Sequence, residues 1–254
     1  MISDSESIKD SFQSRRQVKK LGFGPLKLVP FRDISAIVSK VSRKEFDQSA
    51  IDKNVKDIRW LSKAASKHEE VNDFVNQRMT PLPLKLCTVF QSESKVVQML
   101  KKNYALFSLS LKELDGKAEF GVSAEMTNLT DEMIFKEKRQ YTLIRKIKSA
   151  SPGRAYFLRK NLIDQVSEER NKKARSVASS FYGDLKKISE RSILNPPVAL
   201  ESAKSKMILN AAFLVSRGKI KRFLHEFDML KADHVDDSLS FRLTGPWPPY
   251  NFVN

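Results

Sequence analysis

The sequence predicts an α+β protein, and three patterns carry that expectation. From residue 26, short apolar runs and longer stretches of helical period follow one another as strand, strand, helix, strand, helix, strand. Residues 130–188 read as mainly helical, and the last third returns to strand, helix, strand. The first order suits a sandwich with helices on one face of a small antiparallel sheet, though it lacks the opening strand and crossover of a regular split βαβ repeat. A chain of 254 residues holds one large domain or two small ones.

Residues 1–20 are rich in Ser, Asp, Gln and Lys, with isolated Ile8, Phe12 and Val18 that build no continuous face, and are expected to form a mobile polar tail. LKLVPF from Leu26 and DISAIVSKV from Asp33 read as two strands. Over residues 52–79, Val55, Ile58, Leu61, Ala65, His68 and Val75 recur in threes and fours on one helical face, which ends before TPLPL. LPLKLCTVF reads as a further strand. Ser92 can cap a second helix with the stripe Val97, Leu100, Tyr104, Phe107 and Leu111, closed by Gly116 before the strand AEFGVSAEM.

The helical stretch breaks at Ser151-Pro152-Gly153. Beyond it a long helix carries Leu158, Leu162, Val166, Val177, Phe181, Leu185 and Ile188 on one stripe. Met207 to Val215 is apolar on both faces apart from Asn210, as a central strand requires. A helix through Ile220, Phe223, Leu224 and Phe227 and a strand through Leu239, Phe241 and Leu243 follow. The ending GPWPPYNFVN has three prolines and a glycine, which argue against both helix and a paired strand.

Composition removes several classes of protein. With 41% apolar residues the chain is not wholly disordered, and a single cysteine, Cys87, excludes an intrachain disulfide and a zinc finger. No apolar run is long enough to span a bilayer, and the opening residues lack a signal-peptide core, so a cytoplasmic protein with no membrane partner is expected. The formal net charge of +16 points to an anionic partner. Half of that excess lies in residues 130–191, with 16 Lys or Arg against 8 acidic residues.

Catalytic motifs are absent: no Walker loop, dinucleotide fingerprint, nucleophile elbow or HExxH pair occurs. His68 lies on an apolar helical stripe and reads as a core or boundary residue, and His225 and His234 make no recognisable site. Cys87 in its strand-like run reads as a buried, inert thiol. The pairs Glu168 with Glu169 and Asp236 with Asp237 read as solvated faces. Neither a catalytic residue nor a cofactor or metal site is expected.

Two stretches remain as candidate surfaces. Arg159, Lys160, Arg170, Lys172, Lys173 and Arg175 could follow a phosphate backbone, which makes a nucleic-acid-binding protein the alternative reading. Aromatic interleaving there is poor, limited to Tyr156, Phe157, Phe181 and Tyr182, so a solvated face is preferred and nucleic acid is not expected. At the C-terminus Gly245, Pro246, Trp247, Pro248, Pro249, Tyr250 and Phe252 are expected to form a structural clasp or a partner contact. The prolines lower the entropy cost of docking, and Trp247, Tyr250 and Phe252 can each bury a large area.

The ending LTGPWPPYNFV resembles the closing signature of the gas vesicle protein F/L family. Other segments agree in order: DISAIVSKV; IRWLSKAASKHEEV with Trp60; LPLKLCTVFQSESKVVQML; LKELDGKAEFGVSA; SPGRAYFLRKN; and LNAAFLVSR. The resemblance covers most of the chain from about residue 28 onward. It implies a cytoplasmic protein of the gas vesicle, required for assembly and able to bind the small hydrophobic shell protein beside other gas vesicle accessory proteins. It also implies no cofactor and no catalytic residue.

In fold the resemblance implies two domains, an N-terminal modified ferredoxin-like sandwich and a C-terminal α+β domain with a long helical arm. After the tail of residues 1–20, their expected spans are 21–128 and 129–244, with 245–254 as a Pro/aromatic tail. Two positions depart from the family: no Tyr-rich strand stands just after the start, and Cys87 replaces a usual Gly, a small-for-small change.

Overall fold

The computed structural model describes residues 1–4, 21–127, 141–198, 205–234 and 238–253. The chain is α+β and divides into two compact units, Met1–Phe120 with Gly245–Asn254, and Gly121–Thr244. The division falls inside a strand rather than after residue 128, and the C-terminal segment belongs to the first unit instead of standing apart.

In the first unit three antiparallel strands are ordered β1-β3-β2: β1 is Ile2–Asp4, β2 Leu26–Phe31 and β3 Ile34–Ser39. The register sets Ala36 opposite both Ile2 and Val29. Ile34, Ser35, Ala36 and Ile37 on this central strand are all buried, so both of its faces are covered over that stretch. The chain therefore opens with a strand and not with tail. Ile2 is fully buried, its N–H donates to the Leu82 carbonyl at 3.1 Å, and its own carbonyl accepts from the Leu82 N–H at 2.7 Å. The rest of the expected tail, residues 5–20, lies outside the described residues.

The helices of this unit are α1 (Arg43–Phe46), α2 (Gln48–Asn54), α3 (Ile58–Asn76), α4 (Glu93–Lys102) and α5 (Tyr104–Leu114). The single helix expected over 52–79 is thus two. Asp57 starts α3 as its N-cap, its carboxylate accepting from the Arg59 N–H at 2.9 Å. The helix expected after Ser92 is likewise split at Asn103, whose Nδ2 donates to the Met99 carbonyl at 2.9 Å. Ser92 caps α4 as predicted, accepting from the Lys95 N–H at 3.4 Å. Lys27 on β2 pairs with Glu93 on α4 at 2.6 Å, an exposed pair that adds little to stability.

The run LPLKLCTVF is not a strand. Only Leu82 bridges to Ile2, because Pro81 and Pro83 lack the N–H groups that a ladder needs, and the chain then turns at Lys85 to Thr88. Cys87 stands in that turn, half-buried, with φ of 65°. If the glycine that the resemblance implies stands here in relatives, Cys87 is more than a small-for-small change, since this backbone region favours glycine.

In the second unit a four-stranded sheet has the order β5-β6-β4-β7: β4 is Lys117–Thr127, β5 Arg191–Leu194, β6 Ser205–Ser216 and β7 Leu239–Trp247. β6 lies between two neighbours, as its two apolar faces predict, whereas β5 has no alternating pattern that marks it in the sequence. The chain passes between the units within β4 and within β7. β7 continues through Gly245-Pro246 to Trp247, contrary to the expectation that the prolines forbid a paired strand. It is an edge strand, where a proline's lack of an N–H is tolerated.

Three further helices complete this unit: α6 (Tyr141–Lys148), α7 (Pro152–Ile188) and α8 (Ile220–Asp233). Pro152 opens α7, which has 37 residues and runs roughly 55 Å. Its first half packs against α6 through Ile147, Leu162 and Val166. Its second half packs on β6 and α8. There Phe181 stacks on Phe241 at 4.4 Å and 9°, and meets Phe227 edge-on at 5.5 Å. Among the described residues no helix is long and apolar enough to cross a membrane.

Cys87→Gly is expected to raise stability by about 1 kcal/mol by relieving the positive φ, read as a higher urea midpoint at unchanged slope. Cys87→Val, β-branched and ill-suited to that conformation, should lower the midpoint. A destabilised glycine variant would show that the thiol's contacts outweigh the backbone strain.

Candidate interaction surfaces

The C-terminal segment is held by one buried carboxylate. Glu119 on β4 is only 4% exposed, and its two oxygens accept from the Asn251 N–H at 2.8 Å and from Asn251 Nδ2 at 2.6 Å. Burial pushes the Glu119 carboxyl above its usual range, and the two bonds from Asn251 offset part of that shift. The chain reaches Asn251 through a tight turn in which the Tyr250 N–H donates to the Pro248 carbonyl at 2.7 Å and the Phe252 N–H to the Pro249 carbonyl at 3.2 Å.

That turn decides which side chains go inward. Pro248, Pro249 and Phe252 are buried, Phe252 at 2% exposure. Trp247 and Tyr250 each keep 37% of their surface in solvent. The expectation that all three aromatics bury alike is corrected: Trp247 ends an edge strand and Phe252 is the anchor. Gly245 has φ of 112°, and a Cβ there would stand 2.7 Å from the Glu119 carbonyl oxygen, so this position needs glycine. The peptide to Pro246, itself exposed, is cis.

Tyr250 lies beside α3. Burial pushes its phenol up to about 12, with the carboxylates of Glu69, Asp73 and Glu119 adding to the shift. Desolvation also raises the Asp73 carboxyl. None of this makes a recognisable reaction centre, and among the described residues no group of three or more His, Cys, Asp or Glu is placed to hold a metal ion. His68 is half-buried, its Nε2 lies 3.1 Å from the Leu84 carbonyl, and burial lowers its pKa. Burial raises the Cys87 thiol, which favours the unreactive protonated form, although the residue lies in a turn and not in a buried strand.

The six candidate basic residues all lie on α7, in two groups. Arg159 and Lys160 are exposed on its first third, and Arg170, Lys172, Lys173 and Arg175 follow roughly 15 Å along the axis, with Arg170 half-buried. Of the aromatics near them, Phe181 is fully buried and Tyr182 half-buried, with its hydroxyl 2.8 Å from Ser192 Oγ. Tyr156 and Phe157 are 63% and 66% exposed, the two most exposed of the described aromatic side chains. Sequence periodicity could have singled them out, since neither lies on the Leu158-Leu162-Val166 stripe.

A family model for gas vesicle synthesis protein GvpL/GvpF matches residues 7–254. Gas vesicle protein L of Streptomyces sp. is 28% identical over 236 residues, covering 92% of this chain and 85% of its own length. The crystal structure of the gas vesicle protein GvpF from Anabaena sp. superposes with a TM-score of 0.64 at 19% identity, covering 94% of this chain and 90% of the other. That of GvpF from Microcystis aeruginosa gives a TM-score of 0.62 at 17% identity, covering 91% and 89%. The structural likeness shows the fold.

Phe252→Ala is expected to cost about 3–5 kcal/mol in denaturant unfolding, and Trp247→Ala about 1–2 kcal/mol, because over a third of its ring already meets water. Equal costs would mean that the turn at Pro248 does not sort the rings as described.

A pH prediction follows from Tyr250. The folded chain keeps the phenol proton to about pH 12, while the unfolded chain releases it near the ordinary value of 10.0. The folded state thus binds more protons in that window, and stability falls as pH rises through it. Tyr250→Phe should flatten the fall between pH 10.0 and about 12 relative to the parent, read from urea midpoints. Parallel curves would place the phenol in an unperturbed setting.

Proposed function

From a chain that belongs to the GvpL/GvpF family of gas vesicle synthesis proteins, we infer a non-catalytic assembly or minor structural factor. It holds the small hydrophobic shell subunit while the vesicle wall nucleates, in the cytoplasm and beside other gas vesicle proteins. The observation that carries this reading is the family match over nearly the whole chain.

Physical support comes from exposed apolar side chains on both units. Ile58, Leu106 and Leu109 lie open on helices of the first, and Tyr156, Phe157 and Met229 on helices of the second. A factor that shields an aggregation-prone subunit must offer such surface for burial. The C-terminal segment acts as a clasp of the first unit, supported by the Glu119–Asn251 bonds and the buried Phe252.

The test is co-production with the gas vesicle shell subunit and capture at low and at high salt. An apolar contact should persist at high salt, and Lys172→Gln, Lys173→Gln and Arg175→Gln combined should leave capture within about twofold, since exposed charges steer encounter more than they hold a complex. Absence of capture, or its loss with those three changes, overturns the reading. Salt-sensitive binding of an oligonucleotide in place of the subunit would favour nucleic acid instead.

A further inference from the structure

We propose that the turn end of the α6–α7 hairpin is a docking surface for an acidic segment of a partner protein that also presents apolar side chains. The proposal goes beyond the assembly reading, because it stands whether or not that partner is the shell subunit.

The charge pattern at this end is one-sided. Residues 145–163 contain Arg145, Lys146, Lys148, Arg154, Arg159 and Lys160, and no Asp or Glu. All six are exposed. Farther along α7 the pattern changes: Arg170, Lys172, Lys173 and Arg175 follow Asp164, Glu168 and Glu169. Arg145, Lys146, Lys148, Arg154 and Lys160 carry like charge on the two helices beside one turn and repel one another, and an anionic partner relieves that repulsion.

The same turn presents Tyr156 and Phe157, 63% and 66% exposed, with ring centroids 5.7 Å apart at 77°. Behind them Ile147, Leu162 and Val166 are buried, with Ala155 and Leu158 packed against that cluster. The rings therefore stand on a fixed helix, and burying them costs little backbone entropy. An exposed aromatic pair on a rigid base, ringed by charge, has the make-up of an interface centre with its rim.

Ring geometry separates the possible anionic partners. Successive bases of a nucleic acid present parallel faces, and rings nearly perpendicular to each other cannot stack on two such bases together. An anionic lipid surface would welcome the cations, but Ala155 and Leu158 are packed inward, so among the described residues of this turn the two rings have no exposed aliphatic neighbour on α7 to enter the acyl region with them. A protein segment can offer carboxylates to the rim and apolar side chains at any angle to the rings.

The experiment uses the full chain and a fluorescein-labelled amphipathic helical peptide with Glu on one face and Leu and Phe on the other, followed by anisotropy at low and high salt. Its comparison peptide has every Glu changed to Gln. The Glu peptide should bind about tenfold more tightly than the Gln peptide, and salt should narrow that difference. Tyr156→Ser with Phe157→Ser, and separately Lys148→Gln with Arg154→Gln and Lys160→Gln, should each weaken binding about tenfold. All five positions are exposed, and circular dichroism checks that both variants stay folded. Lys172→Gln, Lys173→Gln and Arg175→Gln combined should change binding by less than about twofold. The proposal is overturned if the parent binds neither peptide, if the two peptides bind alike, or if the turn-end variants match the parent. It is also overturned if a single-stranded oligonucleotide or phosphatidylserine vesicles displace the peptide through this turn.

Discussion

The second unit depends on the burial of one ring. Phe181 stacks on Phe241 of β7, meets Phe227 of α8 edge-on, and lies 6.5 Å from the His234 ring. Helix α7 is polar over most of its surface and has no reason to persist for ten turns alone in water. It persists because its second half is fixed to the sheet and α8 around this ring, while its first half has α6 to cover Leu162 and Val166. The exposed end with Tyr156 and Phe157 inherits its rigidity from those two cores.

In the first unit the corresponding constraint is polar. A carboxylate within β4 would be a liability if left alone, since burial opposes its charge. Asn251 answers both oxygens, and in doing so sets the turn that buries Phe252 and leaves Trp247 and Tyr250 partly in water. The small and cyclic residues of this segment serve the same arrangement: Gly245 allows a close backbone approach, and Pro248 and Pro249 form the turn.

How far the sequence could be read depended on whether the deciding contact was local. The short run of β2, the segments read as β3 and β4 and the 3.6-residue stripe of α7 are local, and each element lies where the sequence set it. The double apolar face of β6 likewise marked a strand with two neighbours. β1 was hidden because three residues in a polar surround show no period; what makes Ile2–Asp4 a strand is the partner β3 more than thirty residues away. LPLKLCTVF misled in the other direction, since its apolar residues outweighed the prolines that deny it a ladder. In the C-terminal segment the composition pointed to buried aromatics, but which ring goes inward depends on Glu119, 132 residues from Asn251 and silent in any local window.

The order of the units along the chain has a consequence for synthesis. The second unit, Gly121–Thr244, is an insertion within the first, which resumes only at Gly245. A ribosome therefore delivers every residue of the inserted unit before Asn251 and Phe252 exist, and domains fold as units as they emerge. Throughout that interval Glu119 has no Asn251 to answer it, and the side chains that Phe252 will cover stay open to other nascent chains. The first unit is thus begun early and finished last, and its exposure to chaperones lasts as long as translation of the insertion.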